Sequence, residues 1–248
     1  AKSPAPFVVL TDVDATIKDS HVMDTVSKVI RFLSEPVPFA GMATLYSEML
    51  DAAKARGQRT AFIVLSGTPT LFESSVWAYL EISRFREPNR VITRPMLLDT
   101  REYKTEAVST IILHPFTKNA TTILIGDDTE HDFAAYDDAL AKGKSQPDEK
   151  GPDERMIYIR RVSGTATTLT TGVVRSGAGA MAFDSAADIA MAEFAQGRLG
   201  RAAVEKVMNE VVKEKSFERL FVPGEYCPRE KSPRGSTGLA SSGVPQDL

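Results

Sequence analysis

Three short apolar runs in this chain each hand over abruptly to a cluster of acidic or hydroxyl residues. Phe7 to Leu10 runs into Thr-Asp-Val-Asp, Ala61 to Leu65 into Ser66-Gly67-Thr68-Pro69, and Thr122 to Ile125 into Gly126-Asp127-Asp128. Short apolar runs bounded by turn residues read as buried strands. A fourth, Ile157 to Ile159, follows a polar loop over 143–155. Helical stretches are expected between them at about 22–34, 42–56, 71–83 and 103–113. In the second, Met42, Leu45, Met49 and Leu50 recur at helical spacing. Strands alternating with helices of this length predict an α/β fold of the Rossmann-like three-layer α/β/α kind, with a parallel sheet. Such sheets bind ligands outside the carboxyl ends of their strands, where all three polar clusters fall.

Beyond Val162 the pattern loosens. Residues 163–182 are rich in Gly, Thr and Ala and read as a hairpin or loop. Gly177-Ala178-Gly179 follows no clear strand and reads as a turn rather than a phosphate loop. Asp184 is a candidate cap for a helix to about 195, and a further helix is expected over 200–215. From Pro223, Pro, Gly and Ser dominate, the composition of a disordered tail. The expected organisation is one domain over 1–221, with a motif-bearing core at about 7–162 and a helical part at 163–221, followed by the tail 222–248.

The 248 residues, 42% apolar, suffice for one substantial core. A formal charge of -3 with no long basic block argues against a nucleic-acid surface. Cys227 stands alone, so no internal disulfide is available. No apolar run approaches the roughly 18 residues that span a bilayer, so no transmembrane segment is expected. The chain opens at Ala1, which suits either a chain cut upstream or one exported after removal of a signal peptide.

Asp12 and Asp14, two residues apart just past a strand, can divide the work on one phosphoryl group. Asp12 can attack phosphorus and form an aspartyl-phosphate. Asp14 can protonate the leaving alkoxide and then deprotonate the hydrolytic water. Alone, the pair reads instead as a solvated loop with a helix cap. Asp127 supplies a hard oxygen ligand for Mg2+ alongside Asp12 and the backbone carbonyl of Asp14, and Asp132, about one turn on, can orient a metal-bound water. Ser66 and the backbone N–H of Gly67 can bind a phosphoryl oxygen. Lys104, read as opening its helix, can neutralise nucleophile and phosphate. The order of nucleophile pair, hydroxyl, lysine and metal carboxylates, three of them at strand ends, favours a site over independent accidents.

These elements resemble the haloacid dehalogenase (HAD) superfamily of phosphatases. Asp12-Val-Asp-Ala-Thr-Ile-Lys-Asp19, Phe39-Ala-Gly-Met-Ala-Thr-Leu-Tyr46, Ile125-Gly-Asp-Asp-Thr-Glu-His-Asp132 and Ile157-Tyr-Ile-Arg160 are similar to the catalytic domain of actin-patch-associated phosphatidate phosphatases, over about residues 7–162. That resemblance implies Asp12 as nucleophile, Asp14 as general acid/base, Ser66 and Lys104 as phosphate binders and Asp127 as metal ligand. It implies a phosphorylated substrate, a phospholipid such as phosphatidate at a membrane surface. Ala15 stands where that family usually has a third aspartate, and Ser66-Gly-Thr-Pro replaces its usual Ser-Asn-Ser-Pro.

Other residues carry weaker signals. Lys18 and His21 lie near enough to the nucleophile loop to touch substrate, His131 to support the metal-side acids, and Arg160 and Arg161 to bind an anion. Trp77 reads as helix packing, and His114 as part of a turn with Pro115. Little chain is left for a cap, although 17–59 could supply a small helical cover. Two alternatives stay open: a soluble phosphomonoesterase or phosphotransferase without lipid preference, and a non-catalytic phosphate-binding module.

Overall fold

The computed structural model describes residues 4–14, 16–17, 38–95, 98–129, 131–143, 154–162, 172–173 and 176–221. The helix expected at 22–34, Lys18, His21, Ala15 and the tail 222–248 lie outside the described residues.

The strands are β1 (Phe7–Asp12), β2 (Thr60–Pro69), β3 (Arg90–Arg94), β4 (Thr121–Asp127), β5 (Arg155–Arg160), β6 (Gly172–Val173) and β7 (Gly179–Phe183). The helices are α1 (Met42–Ala55), α2 (Glu73–Ile82), α3 (Thr100–Leu113), α4 (Asp132–Gly143), α5 (Ala186–Ala195) and α6 (Arg201–Phe221). The seven strands form one sheet in the order β3-β2-β1-β4-β5-β7-β6. All neighbours are parallel except β6, which pairs antiparallel with β7 at the edge. The chain winds outward from β1 to β3, then crosses back to β4 on the other side of β1. The strand order therefore reverses between β1 and β4, the place where such sheets bind ligands.

Strand periodicity divides the core into two layers. Phe7, Val9, Phe62, Val64, Ile123, Ile125 and Tyr158 pack one way, against α1, α2, α5 and α6. Val8, Leu10, Ala61, Ile63, Leu65, Leu124, Ile157 and Ile159 pack the other way, against α3 and α4. Apolar runs without alternation are what strands covered on both faces require.

Four expectations need correction. Met42–Ala55 is no cover over the site: Met42, Leu45, Tyr46, Met49 and Leu50 are buried in the core layer. The helix expected from 71 starts at Glu73, after a 3-10 turn over Thr70–Phe72. Lys104 lies in the second turn of α3, because Asp99 caps the helix by accepting from the Arg101 and Glu102 N–H groups. Ser185, not Asp184, caps α5 through a capping box with Asp188. Of the loosely read segment, 172–173 and 179–183 form the hairpin pair β6–β7, and Gly177 makes its turn at φ 74°.

Candidate active site

Asp12 ends β1 and Asp127 ends β4, so the topology sets two carboxylates side by side at the switch point. Asp12 shares a strand face with Val8 and Leu10 and so looks toward α3 and α4. From α3, the Lys104 ammonium comes within 2.9 Å of Asp12 Oδ1. The same ammonium donates to Asp132 Oδ1 at the start of α4. The other Asp132 oxygen accepts from the Asp127 backbone N–H at 3.2 Å. Asp12, Lys104, Asp127 and Asp132 are all fully buried.

Neighbouring residues hold this arrangement in ways the bare motifs do not announce. A Cβ at Gly126 would lie 2.5 Å from Asp132 Oδ2, so only glycine there lets Asp132 come so close. Thr129 donates through its N–H and its hydroxyl to Asp127 Oδ1. Thr16 donates to Asp127 Oδ2 at 3.3 Å. The Thr11 hydroxyl shares a 2.7 Å bond with Tyr46 and donates to the Asp12 carbonyl. Tyr79 donates to the Ile17 carbonyl at 2.6 Å, fixing the end of the nucleophile loop. Burial pushes both phenols far above their ordinary range, so they remain O–H groups.

Ser66 is buried at the end of the apolar part of β2, one residue beyond the Asp12–Leu65 pair. Its Oγ accepts from the Thr68 N–H at 3.1 Å, and this closes the turn. The Gly67 carbonyl accepts from Arg94 Nε at 3.1 Å, and Arg94 also reaches the Leu98 carbonyl. Arg94 thus ties the Ser66–Gly67 turn to the end of β3. Sequence reading missed it because β3 carries only two apolar residues between arginines.

Asp14, expected to offer its backbone carbonyl, is half-buried in the loop beyond β1. The carboxylates of Asp12, Asp127 and Asp132 converge, each offering an oxygen within 4.8 Å of the others. Both Asp132 oxygens are already engaged, one by Lys104 and one by the Asp127 N–H. Gathered carboxylates repel one another, and an all-oxygen donor set suits a hard divalent ion.

The remaining candidates fall away from this centre. His131 is exposed in a left-handed turn (φ 65°), where its backbone carbonyl starts α4 by accepting from Ala135. Arg160 stacks over the Phe39 ring, and Arg161 pairs with Asp184 at the surface. Trp77 is half-buried against the core and donates to Glu73. His114 caps the end of α3.

Residues 7–160 match the family model described as the catalytic domain of phosphatidate phosphatase APP1. No curated protein matches this chain in sequence. Among solved structures, a HAD family hydrolase from Deinococcus radiodurans R1 with bound phosphate and sodium is similar at 16% identity and a TM-score of 0.44, over 79% of this chain and 99% of that one. The HAD domain of effector protein Lem4 from Legionella pneumophila is similar at 17% identity and a TM-score of 0.37, over 58% of this chain and 84% of that one. A chain of a Pnkp1/Rnl/Hen1 complex is similar at 17% identity and a TM-score of 0.38, over 54% of this chain and only 43% of that one.

Proposed function

The chain belongs to the family of the phosphatidate phosphatase APP1 catalytic domain and is a phosphatase, and we propose that it cleaves its ester through an aspartyl-phosphate on Asp12 with Mg2+ bound beside it. The observation that carries this reading is the buried cluster at the switch point, where Lys104 joins Asp12 to Asp132 and Asp127 closes the circle. An Asp12 oxygen attacks phosphorus as the bond to the leaving oxygen breaks, and Asp14 gives that oxygen its proton. Asp14 then takes a proton from water, which attacks phosphorus and breaks the bond to Asp12, releasing inorganic phosphate. Ser66 and the Gly67 N–H hold phosphoryl oxygens, and Lys104 keeps Asp12 ionised and oriented. Asp12, Asp127 and the Asp14 carbonyl would hold Mg2+, which supplies the positive charge that lets a phosphate dianion approach two carboxylates. Asp132 stays outside that shell, because its two oxygens already serve Lys104 and the Asp127 N–H.

Phosphatidate or a related phospholipid is the substrate this reading favours, on the strength of the family. Leu71, 74% exposed in the turn that follows Pro69, and half-exposed Val162 beyond β5 place apolar groups at the same end of the sheet. No helix among the described residues is long and apolar enough to cross a membrane, so a lipid would be met at the bilayer surface.

The test is phosphate release from an aryl phosphate and from phosphatidate in mixed micelles, with Mg2+, with chelator, and with Asp12→Asn. The substitution should cost at least about a thousandfold in turnover, as loss of a covalent nucleophile does, and chelator should silence the wild type. Activity retained by Asp12→Asn sinks the nucleophile assignment. Indifference to chelator sinks the metal. Aryl phosphate hydrolysis without phosphatidate hydrolysis sinks the lipid substrate alone.

A further inference from the structure

Tyr103 directly precedes Lys104 on α3, and its side chain is only 5% exposed. Its hydroxyl is buried with no hydrogen-bond partner among the described residues. A buried hydroxyl that makes no bond keeps the cost of its lost hydration, and a ligand that accepts from it removes that cost. The buried tyrosines Tyr46, Tyr79, Tyr136 and Tyr158 each have a partner: Thr11, Ile17, Ile125 and Glu193.

Its ring packs in the layer that holds Leu10 and Leu65, which lie two residues before Asp12 and directly before Ser66. The charges of Lys104, Asp12, Arg94 and Glu73 act on its hydroxyl. Arg94 is the residue that grips the Gly67 carbonyl, and Glu73 accepts from Thr93 at 3.3 Å. The Tyr103 side chain thus packs beneath the strands that end in the nucleophile and in the Ser66 turn. Burial, the strongest influence, keeps it protonated, so it can donate to an anion but brings no charge of its own.

We propose that the Tyr103 hydroxyl is a substrate-binding group, donating a hydrogen bond to a non-bridging oxygen of the phosphoryl group held between Asp12 and Ser66. This rests on the phosphatase reading of the site and adds to it a donor that none of the motifs contains. Because the bond is made to the phosphoryl group both before and during its transfer, its loss falls mainly on binding.

The experiment is Tyr103→Phe, which deletes one oxygen and keeps the ring. Two measurements are made on the full chain with Mg2+: Tm without ligand, and steady-state kinetics on an aryl phosphate with inorganic phosphate as competitor. We expect the unliganded Tm to hold within about 2 °C or to rise, since no protein bond is lost. KM and the inhibition constant of phosphate should both rise roughly ten- to hundredfold, the worth of a hydrogen bond to a charged group, with kcat much less affected. Wild-type values of KM and of phosphate inhibition in Tyr103→Phe overturn the inference and leave the phosphatase reading standing. A fall in Tm with unchanged phosphate inhibition also overturns it, because the hydroxyl then serves the fold. A wild type that neither turns over the ester nor binds phosphate overturns both.

Discussion

Two ionic clusters are buried among the described residues, and they are built on different principles. Near the far edge of the sheet, the carboxylate of Glu193 on α5 is fully buried. It receives both oxygens' worth of donors from Arg198 at 2.7 Å, with Tyr158 adding a third at 2.6 Å. The two charges meet in a two-pronged geometry, and Arg198 also comes within 3.9 Å of the exposed Glu154 carboxylate. Burial works against the Arg198 charge, yet the Glu193 carboxylate more than offsets it, and the guanidinium pKa lies above its ordinary value. At the switch point, by contrast, three buried carboxylates, Asp12, Asp127 and Asp132, gather within 4.8 Å of one another, and Lys104 bonds to two of them. The first cluster is complete as folded. The second concentrates carboxylates at the end of the sheet where such folds bind ligands. A two-pronged buried pair joins elements of the fold, whereas a gathering of like charges at a switch point suits a bound cation.

Removing the cation from each cluster should separate them most widely. Lys104→Met leaves the acids facing one another. Turnover should fall at least about a hundredfold, as loss of a charge-stabilising group in a buried site does, and stability by about 3–5 kcal/mol, as when a buried pair is broken. Millimolar Mg2+ should restore part of the stability and little of the turnover. Arg198→Met strands Glu193 and should cost about 3 kcal/mol, the low end of that range because the guanidinium keeps some exposure. Its activity per folded molecule should stay at the wild-type level, and Mg2+ should not rescue it. Thermal unfolding with and without Mg2+, beside kinetics on both variants, measures all of this. Equal rescue by Mg2+ would erase the distinction drawn between the clusters.

A smaller effect should come from two glycines. At Gly126, an added methyl runs into the Asp132 carboxylate, which Lys104 and the Asp127 N–H already hold in place. Gly126→Ala should displace Asp132 and reduce kcat/KM roughly tenfold to a hundredfold, as small misplacements in a positioned site do. At Gly179 on β7, the same methyl meets the Met156 sulfur, the far end of a flexible side chain. Gly179→Ala should leave kcat/KM alone and change stability by about 1 kcal/mol at most. Wild-type kinetics in Gly126→Ala would show that Asp132 need not stand where it does.

Much of the open cluster was legible in the sequence because its parts are punctuated. Asp12, Ser66 and Asp127 each follow an apolar run, and the sheet brings such ends together whatever the intervening loops do. The strands β1, β2, β4 and β5 could be read for the same reason, since two-sided burial leaves a continuous apolar signature. Strand β3 could not, because Val91 and Ile92 are too few to stand out between Arg90 and Arg94. Nor could β7, whose Gly-Ala-Met-Ala-Phe has little strand preference and is held by pairing to β5. The close approach of Asp132 to the end of β4 was hidden by the way it is achieved, through the missing side chain of Gly126. The closed cluster was invisible altogether: Glu193 and Arg198 sit amid ordinary helix and turn residues, and only the packing of α5 on β5 shows that Glu193 is buried.

The finest separation is between two phenols, one in each cluster. Tyr158 completes the bonding of Glu193, and burial, followed by the Glu193 charge, keeps it protonated and donating. Deleting its hydroxyl removes one of three donors to a buried carboxylate, which should cost about 1.5–2 kcal/mol. For a domain of this size that is a fall in Tm of about 5 °C, with KM untouched. Tyr103 has the same chemistry and the opposite circumstances, since no group among the described residues meets its hydroxyl. Tyr103→Phe should therefore spare Tm and raise KM, while Tyr158→Phe spares KM and lowers Tm. The double variant should show both changes at full size, because the two hydroxyls share no partner and effects at independent sites add. A Tm loss in the double variant well beyond that of Tyr158→Phe would mean that Tyr103 also supports the fold, and the line between a closed cluster and an open one would then run elsewhere.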